Sequence, residues 1–267
     1  MRRSGASTGS AERQSKTSST APHRECQPAC ISAQELRDYC YCPIYYRFKH
    51  VVGVGIKRSV EYNEECLTRI SHFIMHGMSD GSIPNKGMVK NAYGRLLMSM
   101  TGGRKKLPVA ASVVMSGMEQ ALAMQEFFKT WDCRPLVINH PYEITVGDAT
   151  VTGHIDGIVE DKEEYHAVKI IHGHKGDDMW QNDIEVPLVM LAVRKVLLRP
   201  LAGLTVYYTG SGTSEKADTA GHDYQQAIRI LDAVIRSIRG EIYYPSRLRQ
   251  CRSCQYYKWC SEGKWLA

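Results

Sequence analysis

Long apolar runs are missing from this sequence. No stretch approaches the roughly 18 consecutive apolar residues that cross a bilayer, and 23% of the 267 residues are charged. Residues 1–20, rich in Ser, Thr, Gly and Arg, also lack the apolar segment of a secretory signal. We therefore expect no membrane span and an intracellular location.

An internal repeat and a strong charge of one sign are missing too. The isoelectric point of about 8.8 and the net charge of +6 suit a polyanionic partner but are common in proteins that bind no DNA. The length fits one large domain. We predict a disordered tail over residues 1–25, which have few large apolar side chains, and a single domain over residues 26–267. An organellar transit peptide is the alternative interpretation of the tail.

Nine cysteines are present, a high number for a protein expected inside the cell, where structural disulfides are rare. Cys251, Cys254 and Cys260 lie within ten residues of one another. A two-residue gap lets both thiolates of a CxxC pair bind one metal centre. Because three ligands leave a tetrahedral or cubane site one short, we expect a distant fourth cysteine. The best candidate is Cys42, within YCYCP.

The cysteine pattern leaves alternatives open. Cys40 competes with Cys42 for the fourth position, and we expect only one of the two to be a ligand. Cys26 and Cys30, at the edge of the predicted tail, either bind metal or have no ligand role. The spacing fits a structural zinc site as well as an iron–sulfur cluster, since four thiolates suit both.

Two local signals delimit the first predicted helix. Ser32 and Glu35 form a capping box, because the hydroxyl precedes the glutamate by three positions. Pro43 ends that helix near Cys42, since the residue before a proline disfavours helical geometry. Beyond it, apolar residues at helical spacing predict a helical subdomain.

Short β-branched segments bounded by Gly, Asp and Pro then predict strands. These segments are 136–138, 142–146, 151–159, 165–171 and 204–208. Gly147 and Asp148 form the predicted turn of a hairpin. We predict helical structure over residues 180–198, broken or kinked at Pro187, and an amphipathic helix over residues 223–239 that Gly240 caps. The predicted helical subdomain spans residues 59–130. The core of sheet and helix spans residues 136–210, and the C-terminal helix with the cysteine segment spans residues 223–267.

Three blocks of the sequence carry a resemblance to a known family. ISAQELRDYCYCPIYYRF, residues 31–48, is similar to an N-terminal helix that ends in a cluster cysteine before proline. VTGHIDGIVED, residues 151–161, is similar to a strand-borne Gly-x-x-Asp block with the first catalytic carboxylate. GEIYYPSRLRQCRSCQYYKWC, residues 240–260, is similar to a closing segment with three cluster cysteines. The chain resembles the iron–sulfur RecB-like exonucleases of the PD-(D/E)XK nuclease superfamily, which include the small CRISPR-adaptation exonuclease and its phage relatives.

The resemblance implies an α/β fold with a PD-(D/E)XK restriction-endonuclease-like core, in which helices flank a mixed central sheet. A helical insertion and a C-terminal iron–sulfur segment complete it. The implied cofactor is a 4Fe–4S cluster, rather than zinc, held by Cys42, Cys251, Cys254 and Cys260. The implied activity is that of a DNA exonuclease on single-stranded DNA or DNA ends, with protein partners in a recombination or CRISPR-type complex. The implied location is the cytoplasm of a prokaryotic or phage-infected cell.

In this superfamily two acids hold Mg²⁺ or Mn²⁺ beside the scissile phosphate, and a lysine follows the second acid by two positions. Asp156 matches the first acid and Lys169 matches the lysine. Ala167 stands where the second acid is expected, and a methyl group binds no cation. The family's Gln-x-x-x-Tyr pattern after the core strands is also absent, because Glu185 and Val189 stand in its place.

Two explanations compete for the missing acid. In one, Glu185 lies on a helix beside the sheet and supplies the second carboxylate, so that Asp156 and Glu185 hold the metal. In the other, the site has decayed into a weakened or inactive descendant. The resemblance also implies a metal-linked histidine on a helix before the sheet, for which His72 and His76 are available; a surface histidine is the alternative for both. Four further histidines lie near the presumed site in the sequence: His154, His166, His172 and His174.

Basic and aromatic residues predict DNA contacts through phosphate neutralisation and base stacking. They are Tyr45, Tyr46, Arg47 and Lys49 near Cys42, Arg247, Arg249, Arg252 and Lys258 around the C-terminal cysteines, and residues 104–106. Each set is equally typical of a solvated surface. Two rival functions stay open: a non-catalytic DNA-binding or protein-assembly module on the same fold, and a zinc-stabilised structural protein.

Overall fold

The computed structural model describes residues 30–54, 59–100, 109–131, 133–161, 164–172, 184–197, 201–218, 224–246, 251 and 254–261. Within these ranges, the side chains of residues 59–61, 185, 217–218 and 224 are not described. Several predictions therefore lie outside the described residues: the tail 1–25, Cys26, residues 104–106, His174, Arg247, Arg249 and Arg252. Of the helices described, none combines the length and the apolar character needed to span a membrane.

Strand β1 (Cys30–Ser32) and helix α1 (Ala33–Tyr41) open the described chain. Ser32 caps α1, because its Oγ accepts a hydrogen bond from the Glu35 amide at 3.1 Å. The Glu35 carboxylate in turn accepts one from the Ser32 amide at 2.8 Å. These bonds satisfy donors that lack a partner at a helix start, and the predicted capping box is confirmed.

Cys42 forms a corner between two helical segments. Its backbone is extended, with φ −165° and ψ 117°, as expected for a residue before proline. Helix α2 (Pro43–Tyr46) starts directly after it, and a π-helical turn follows over Arg47–Val51. Proline is tolerated at the first helical position because its missing N–H would have no helical acceptor there. The predicted end of α1 near Cys42 is confirmed.

Three helices form the predicted helical region: α3 (Ser59–Ser79), α4 (Lys86–Met100) and α5 (Ala111–Lys129). Their apolar faces pack together and against one face of the sheet. We call this cluster the α3-side core; it includes Ile70, Tyr93, Phe128, Val159 and Val168. The change from helical to alternating periodicity therefore marks a real boundary between helices and sheet.

A buried polar contact lies where α3, α4 and α5 meet. The hydroxyl of Tyr93 donates a hydrogen bond to Oδ1 of Asn63 at 2.7 Å. Gly117 of α5 lies directly against both groups, since a Cβ at that position would be 1.8 Å from Asn63 Oδ1 and 2.1 Å from the Tyr93 oxygen. Only a residue without a side chain allows this close approach.

The remaining strands are β2 (Arg134–Val146), β3 (Ala149–Asp161), β4 (Glu164–Ile171), β5 (Gly203–Tyr208) and β6 (Thr213–Asp218). Strand β3 is central: β2 pairs antiparallel along one edge, and β1 (parallel) and β4 (antiparallel) share the other. Strand β4 continues to β5 in parallel, and β5 pairs antiparallel with β6. The sheet is therefore mixed, as the resemblance implied.

Helices α1, α6 (Glu185–Leu197) and α7 (Tyr224–Arg239) contribute to a second cluster against the sheet. We call it the α6-side core; it includes Leu36, Ile155, Ala167, Val189 and Leu231. Pro187 is the third residue of α6, where no N–H is needed in the first turn, so a kink within α6 at this residue is wrong. Residues 180–183 of the predicted helical stretch lie outside the described chain. The predicted cap shifts by one residue: Glu241, not Gly240, has the left-handed conformation, with φ 53°.

The predicted strands differ from the observed ones in three places. Strands β1 and β6 are absent from the prediction, and β2 runs as one strand through the two predicted segments 136–138 and 142–146. Asn139, between those segments, has φ 49°, which interrupts the regular alternation of the strand. The hairpin turn at Gly147 and Asp148 is confirmed.

The early and late parts of the described chain meet in an aromatic cluster. Ile44, Tyr45 and Phe48 pack against Tyr256, which directly precedes helix α8 (Tyr257–Ser261). The ring centres of Tyr45 and Tyr256 lie 5.2 Å apart. Tyr45 is 8% exposed and Tyr46 is 6% exposed, so the prediction that these two rings stack on DNA bases is wrong.

Candidate active site and cysteine pocket

Strand β3 changes partners along one edge, and the change leaves a gap. Residues 150–152 pair with β1, whereas from Gly157 onward the same edge pairs with β4. Between these two ladders, residues 153–156 have no strand partner on that edge within the described part of the chain. Asp156 lies at the end of the gap, where β3 and β4 separate.

Asp156 is buried and is held from β4. It is 8% exposed, and its Oδ2 accepts a hydrogen bond from the Ile170 amide at 2.8 Å. The Nζ atom of Lys169, which is also 8% exposed, lies 3.6 Å from the same oxygen. Opposite charges attract more strongly here than at the surface because little water screens them. The structure thus brings together the two residues that match the family's motif.

Ala167 belongs to the apolar core. It pairs with Ile158 across the β3–β4 ladder and is completely buried in the α6-side core. Because it precedes Lys169 by two residues on a strand, its Cβ points to the same face of the sheet as that of Lys169. The position at which the motif has its second acid is therefore apolar here. Glu185 is the first residue of α6, which contacts β3 and β4, but its side chain lies outside the described part of the chain.

Helix α3 crosses β3 beside Asp156. Gly157 permits the close approach, since a Cβ there would lie 2.8 Å from Sδ of Met75. His72, less than one turn before Met75, has a buried Nε2 with no hydrogen-bond partner in the described structure. A buried imidazole nitrogen without a partner is costly to keep unless something binds it.

Burial lowers the pKa of His72, and this effect outweighs the opposing attraction of the Asp156 carboxylate. The neighbouring His76 and His154 lower the pKa of His72 further. Burial therefore favours the neutral form of the His72 imidazole, which lies within electrostatic reach of Asp156. Such a nitrogen is available as a metal ligand, which must be unprotonated.

The remaining histidines have different surroundings. Nε2 of His172, just after β4, lies 2.8 Å from Oγ1 of Thr68 on α3. His166 lies 3.8 Å from Glu164 at the start of β4. The structure therefore groups His72 and His76, the two candidates on the helix before the sheet, with His154 from the histidines near Asp156 in the sequence. In the sequence, the only indication of this grouping is the four-residue spacing of His72 and His76, which places both on one face of α3.

The four predicted cluster cysteines line one pocket. Cys42, Cys251, Cys254 and Cys260 border a cavity of about 450 Å³, with Ile44, Tyr45, Pro245, Ser246, Tyr256, Tyr257 and Ser261 as the other lining residues. Burial raises the pKa of the Cys260 thiol, and Cys42, Cys251 and Cys254 raise it further. Cys40 is exposed and does not line the pocket.

The sulfur atoms are near one another but do not form a coordination sphere. Nowhere in the described ranges do three His, Cys, Asp or Glu side chains stand close enough to hold one metal ion. Cys251 instead directs its Sγ to the carbonyl of Ser246 at 3.3 Å. The structure thus places the four residues of the predicted ligand set around one pocket, without the convergence of a metal site.

Lys49 and Arg47, both predicted to contact DNA, have internal partners. The ammonium group of Lys49 lies 2.8 Å from the buried carboxylate of Asp38, which His50 also contacts at 2.7 Å. The guanidinium of Arg47 lies over the ring of Tyr243, 5.7 Å from its centre. These side chains therefore stabilise the N-terminal helices. Lys258, by contrast, is exposed beside the cysteine pocket.

Comparison with known proteins adds the family. The sequence profile of the PD-(D/E)XK nuclease superfamily matches residues 30–261. The chain belongs to the PD-(D/E)XK nuclease superfamily. This membership implies DNA as the substrate.

Solved structures include two that this PD-(D/E)XK protein resembles at 12% sequence identity. One is a candidate exonuclease from Eubacterium rectale, with a TM-score of 0.48 over 92% of this chain and 93% of that one. The other is SSO0001, with a TM-score of 0.43 over 87% of this chain and 86% of that one. No curated protein sequence matches the chain.

Proposed function

We propose that this PD-(D/E)XK protein is a metal-dependent DNA exonuclease of the iron–sulfur RecB-like type, acting on single-stranded DNA or DNA ends. The observation that carries the proposal is the contact between Asp156 and Lys169 in the gap of β3. A buried acid and a buried lysine at a strand separation have no evident structural need, and a hydrophobic pair stabilises a core at least as well.

The donor atoms at this site suit a divalent cation. Asp156 offers the hard carboxylate oxygen that Mg²⁺ and Mn²⁺ prefer, and His72 offers a neutral nitrogen without a partner in the described structure. Such a cation polarises the scissile phosphate and lowers the pKa of bound water. The ammonium group of Lys169 stabilises the negative charge that develops on the phosphate oxygens. Its burial keeps competing water away.

Glu185 completes the proposed metal ligands. Because Ala167 is buried and apolar, a second carboxylate must come from another element. Helix α6 contacts both β3 and β4 and begins at Glu185. In the proposal, Asp156 and Glu185 therefore hold the cation from two sides.

A nuclease assay tests these roles. Labelled single-stranded DNA is incubated with Mn²⁺ or Mg²⁺ and with wild type, Asp156→Asn, Lys169→Met or Glu185→Gln. Asp161→Asn, at the other end of β4's ladder with β3, is the matched control. We expect roughly a 100-fold or larger loss for Asp156→Asn and Lys169→Met and no loss for Asp161→Asn. Identical rates in all proteins would contradict the proposed nuclease activity. A fully active Glu185→Gln would contradict only the proposed ligand role of Glu185.

The rival function is a non-catalytic DNA-binding module, and the apolar surroundings of Ala167 favour it. A module of this kind binds DNA without cleaving it. Fluorescence anisotropy with labelled DNA at two salt concentrations measures binding, since phosphate contacts weaken as salt rises. Salt-dependent binding without cleavage by any divalent cation would support the rival.

The cysteine pocket holds the 4Fe–4S cluster in this proposal. Its support is that Cys42 and the three C-terminal cysteines line one cavity, and thiolates are the ligands of such clusters. Anaerobic purification followed by iron and sulfide analysis tests it. We expect Cys42→Ser to lose iron and sulfide, whereas Cys40→Ser, two residues away and exposed, keeps both. A colourless protein with bound zinc would replace the cluster by a zinc site.

A further inference from the structure

Three histidines lie near one another where α3 crosses β3, and the reaction as proposed uses only one of them, His72. His72 and His76 are four residues apart on α3 and so lie on the same side of the helix, about 6 Å apart along its axis. His76 is exposed, whereas Nε2 of His72 is buried and has no partner in the described structure. One helix turn thus presents two imidazoles.

The third histidine comes from β3. His154 precedes Asp156 by two residues and is exposed. Its neighbour Ile155 packs in the α6-side core, so the alternation of the strand places His154 on the opposite side, toward α3. Strand β3 therefore contributes an imidazole and a carboxylate from adjoining positions.

The packing of α3 on β3 brings these two sets together. Met75 of α3 sits over Gly157, the residue after Asp156. The charges of Asp156, His76 and His154 all act on His72. Thr68, one turn before His72, contacts His172 near the end of β4, which fixes the direction of the helix across the gap.

We infer that this nuclease site is rich in imidazole ligands, with His72, His76 and His154 joining Asp156 around the cation, and that it prefers Mn²⁺ and later transition metals to Mg²⁺. This inference rests on the proposed function. Imidazole suits transition metals, whereas Mg²⁺ requires oxygen ligands in near-ideal octahedral geometry. Ala167 contributes no oxygen ligand from β4, so the carboxylates of the proposed site are those of Asp156 and Glu185 alone.

The exposed histidines supply the freedom that the site requires. Across the described residues no three donor groups converge on one point as the side chains stand. His76 and His154 are exposed, and exposed side chains change rotamer within nanoseconds without unpacking a core. Rotation of these two rings toward Asp156 and His72 therefore assembles the ligands when a cation arrives.

Direct Mn²⁺ binding tests the inference. Electron paramagnetic resonance gives the affinity of the full chain for Mn²⁺, and pulsed measurements of nitrogen coupling count the imidazoles on the ion. The proteins are wild type, His76→Asn, His154→Asn and the double variant. His140→Asn is the matched control, because His140 is an exposed histidine on β2 that pairs with Ile155 and so lies on the other face of the sheet.

We expect more than one imidazole on Mn²⁺ in wild type and the loss of one in each single variant. The affinity should fall roughly 10-fold or more in each and stay unchanged in His140→Asn. One imidazole or none in wild type, or unchanged affinity in the double variant, overturns the inference. Tighter Mg²⁺ than Mn²⁺ binding also overturns it.

Cleavage assays separate this inference from the proposed function. If Mg²⁺ supports cleavage in the double variant as well as in wild type, the nuclease activity is supported and the imidazole-rich site is contradicted. If Mn²⁺ binds through several imidazoles but no cation supports cleavage, the metal site is supported and the nuclease activity is contradicted. Circular dichroism confirms that each variant is folded before it is scored.

Discussion

The hydroxyl of Tyr256 donates a hydrogen bond to the carbonyl of Val54 at 2.8 Å, across 202 residues of sequence. The Tyr256 ring is 2% exposed and packs against Tyr45 and Phe48. Aromatic packing and a hydrogen bond therefore join the N-terminal and C-terminal segments that line the cysteine pocket, in addition to any metal that the cysteines bind.

Two substitutions of Tyr256 separate these contributions. Tyr256→Phe keeps the ring and removes the bond to Val54, so we expect a loss of about 1 kcal/mol in the free energy of unfolding. Tyr256→Ala also removes the ring and should cost roughly 3–5 kcal/mol. Urea denaturation of the metal-loaded protein measures both. Equal losses would show that the ring contributes nothing to the junction.

Gly117→Ala should destabilise the helical subdomain. The added methyl group meets Asn63 and Tyr93 in a fully packed junction, and overpacking of this kind costs roughly 1–3 kcal/mol. Gly94→Ala on α4 is the control, because a Cβ there meets no atom within 4 Å. Alanine favours a helix over glycine by up to about 1 kcal/mol, so this variant should be more stable than wild type. Thermal unfolding of the two variants should shift in opposite directions.

Gly157→Ala should impair cleavage more than folding. Its methyl group meets Sδ of Met75, the flexible end of a side chain, which can move at modest cost. The added volume nevertheless lies between β3 and α3, so we expect a small shift of α3, and with it of His72, relative to Asp156. We expect a loss of roughly 100-fold in rate, since small misplacements near a reacting centre cost that much. Adding Met75→Ala should restore part of the rate; no restoration would indicate that α3 is not the element displaced.

Asp38 gives the fold a dependence on acidity. Burial alone would raise the pKa of Asp38, but hydrogen bonds from His50, Lys49 and Gln34 outweigh it and hold that pKa below its ordinary value of 3.8. A carboxyl with a lowered pKa in the folded state contributes stability above its unfolded pKa and loses it as the pH falls through the folded pKa. Wild type should therefore lose stability below about pH 4.

Asp38→Asn provides the comparison, since it cannot ionise. Its free energy of unfolding should be lower than that of wild type at neutral pH, and the difference should shrink as the pH falls below 4. Denaturation curves across this range measure both. A difference that stays constant with pH would show that the ionised carboxylate has no part in joining α1 to the π-helical turn.

Local chemistry made parts of the fold predictable. The capping box at Ser32 involves contacts within one helical turn, and β3 and β4 are rich in β-branched residues. Strand β6 reads TSEKAD, a polar edge strand without apolar alternation, so no sequence pattern marks it. Strand β1 is three residues long and pairs with residues 150–152, a partner that nothing nearby in the sequence indicates.

The candidate site shows the same division. The resemblance singled out Asp156 and Lys169, which the structure places 3.6 Å apart. His72 lies more than eighty residues before Asp156, and its place beside that residue depends on how α3 packs over Gly157. A contact that arises from packing between distant segments leaves no local signature, so His72 was no more marked in the sequence than His76.

The cysteine pocket is built at two different times during synthesis. Roughly 200 residues separate its two walls, and at 5–20 residues per second roughly 10–40 s pass between their emergence from the ribosome. Throughout that interval the C-terminal residues that line the pocket with Cys42 have not yet been synthesised. A nascent chain that stalls before Cys251 therefore presents the Cys42 thiol without its C-terminal partners to the quality-control machinery, whereas in the finished chain Cys42 is half-buried in the pocket.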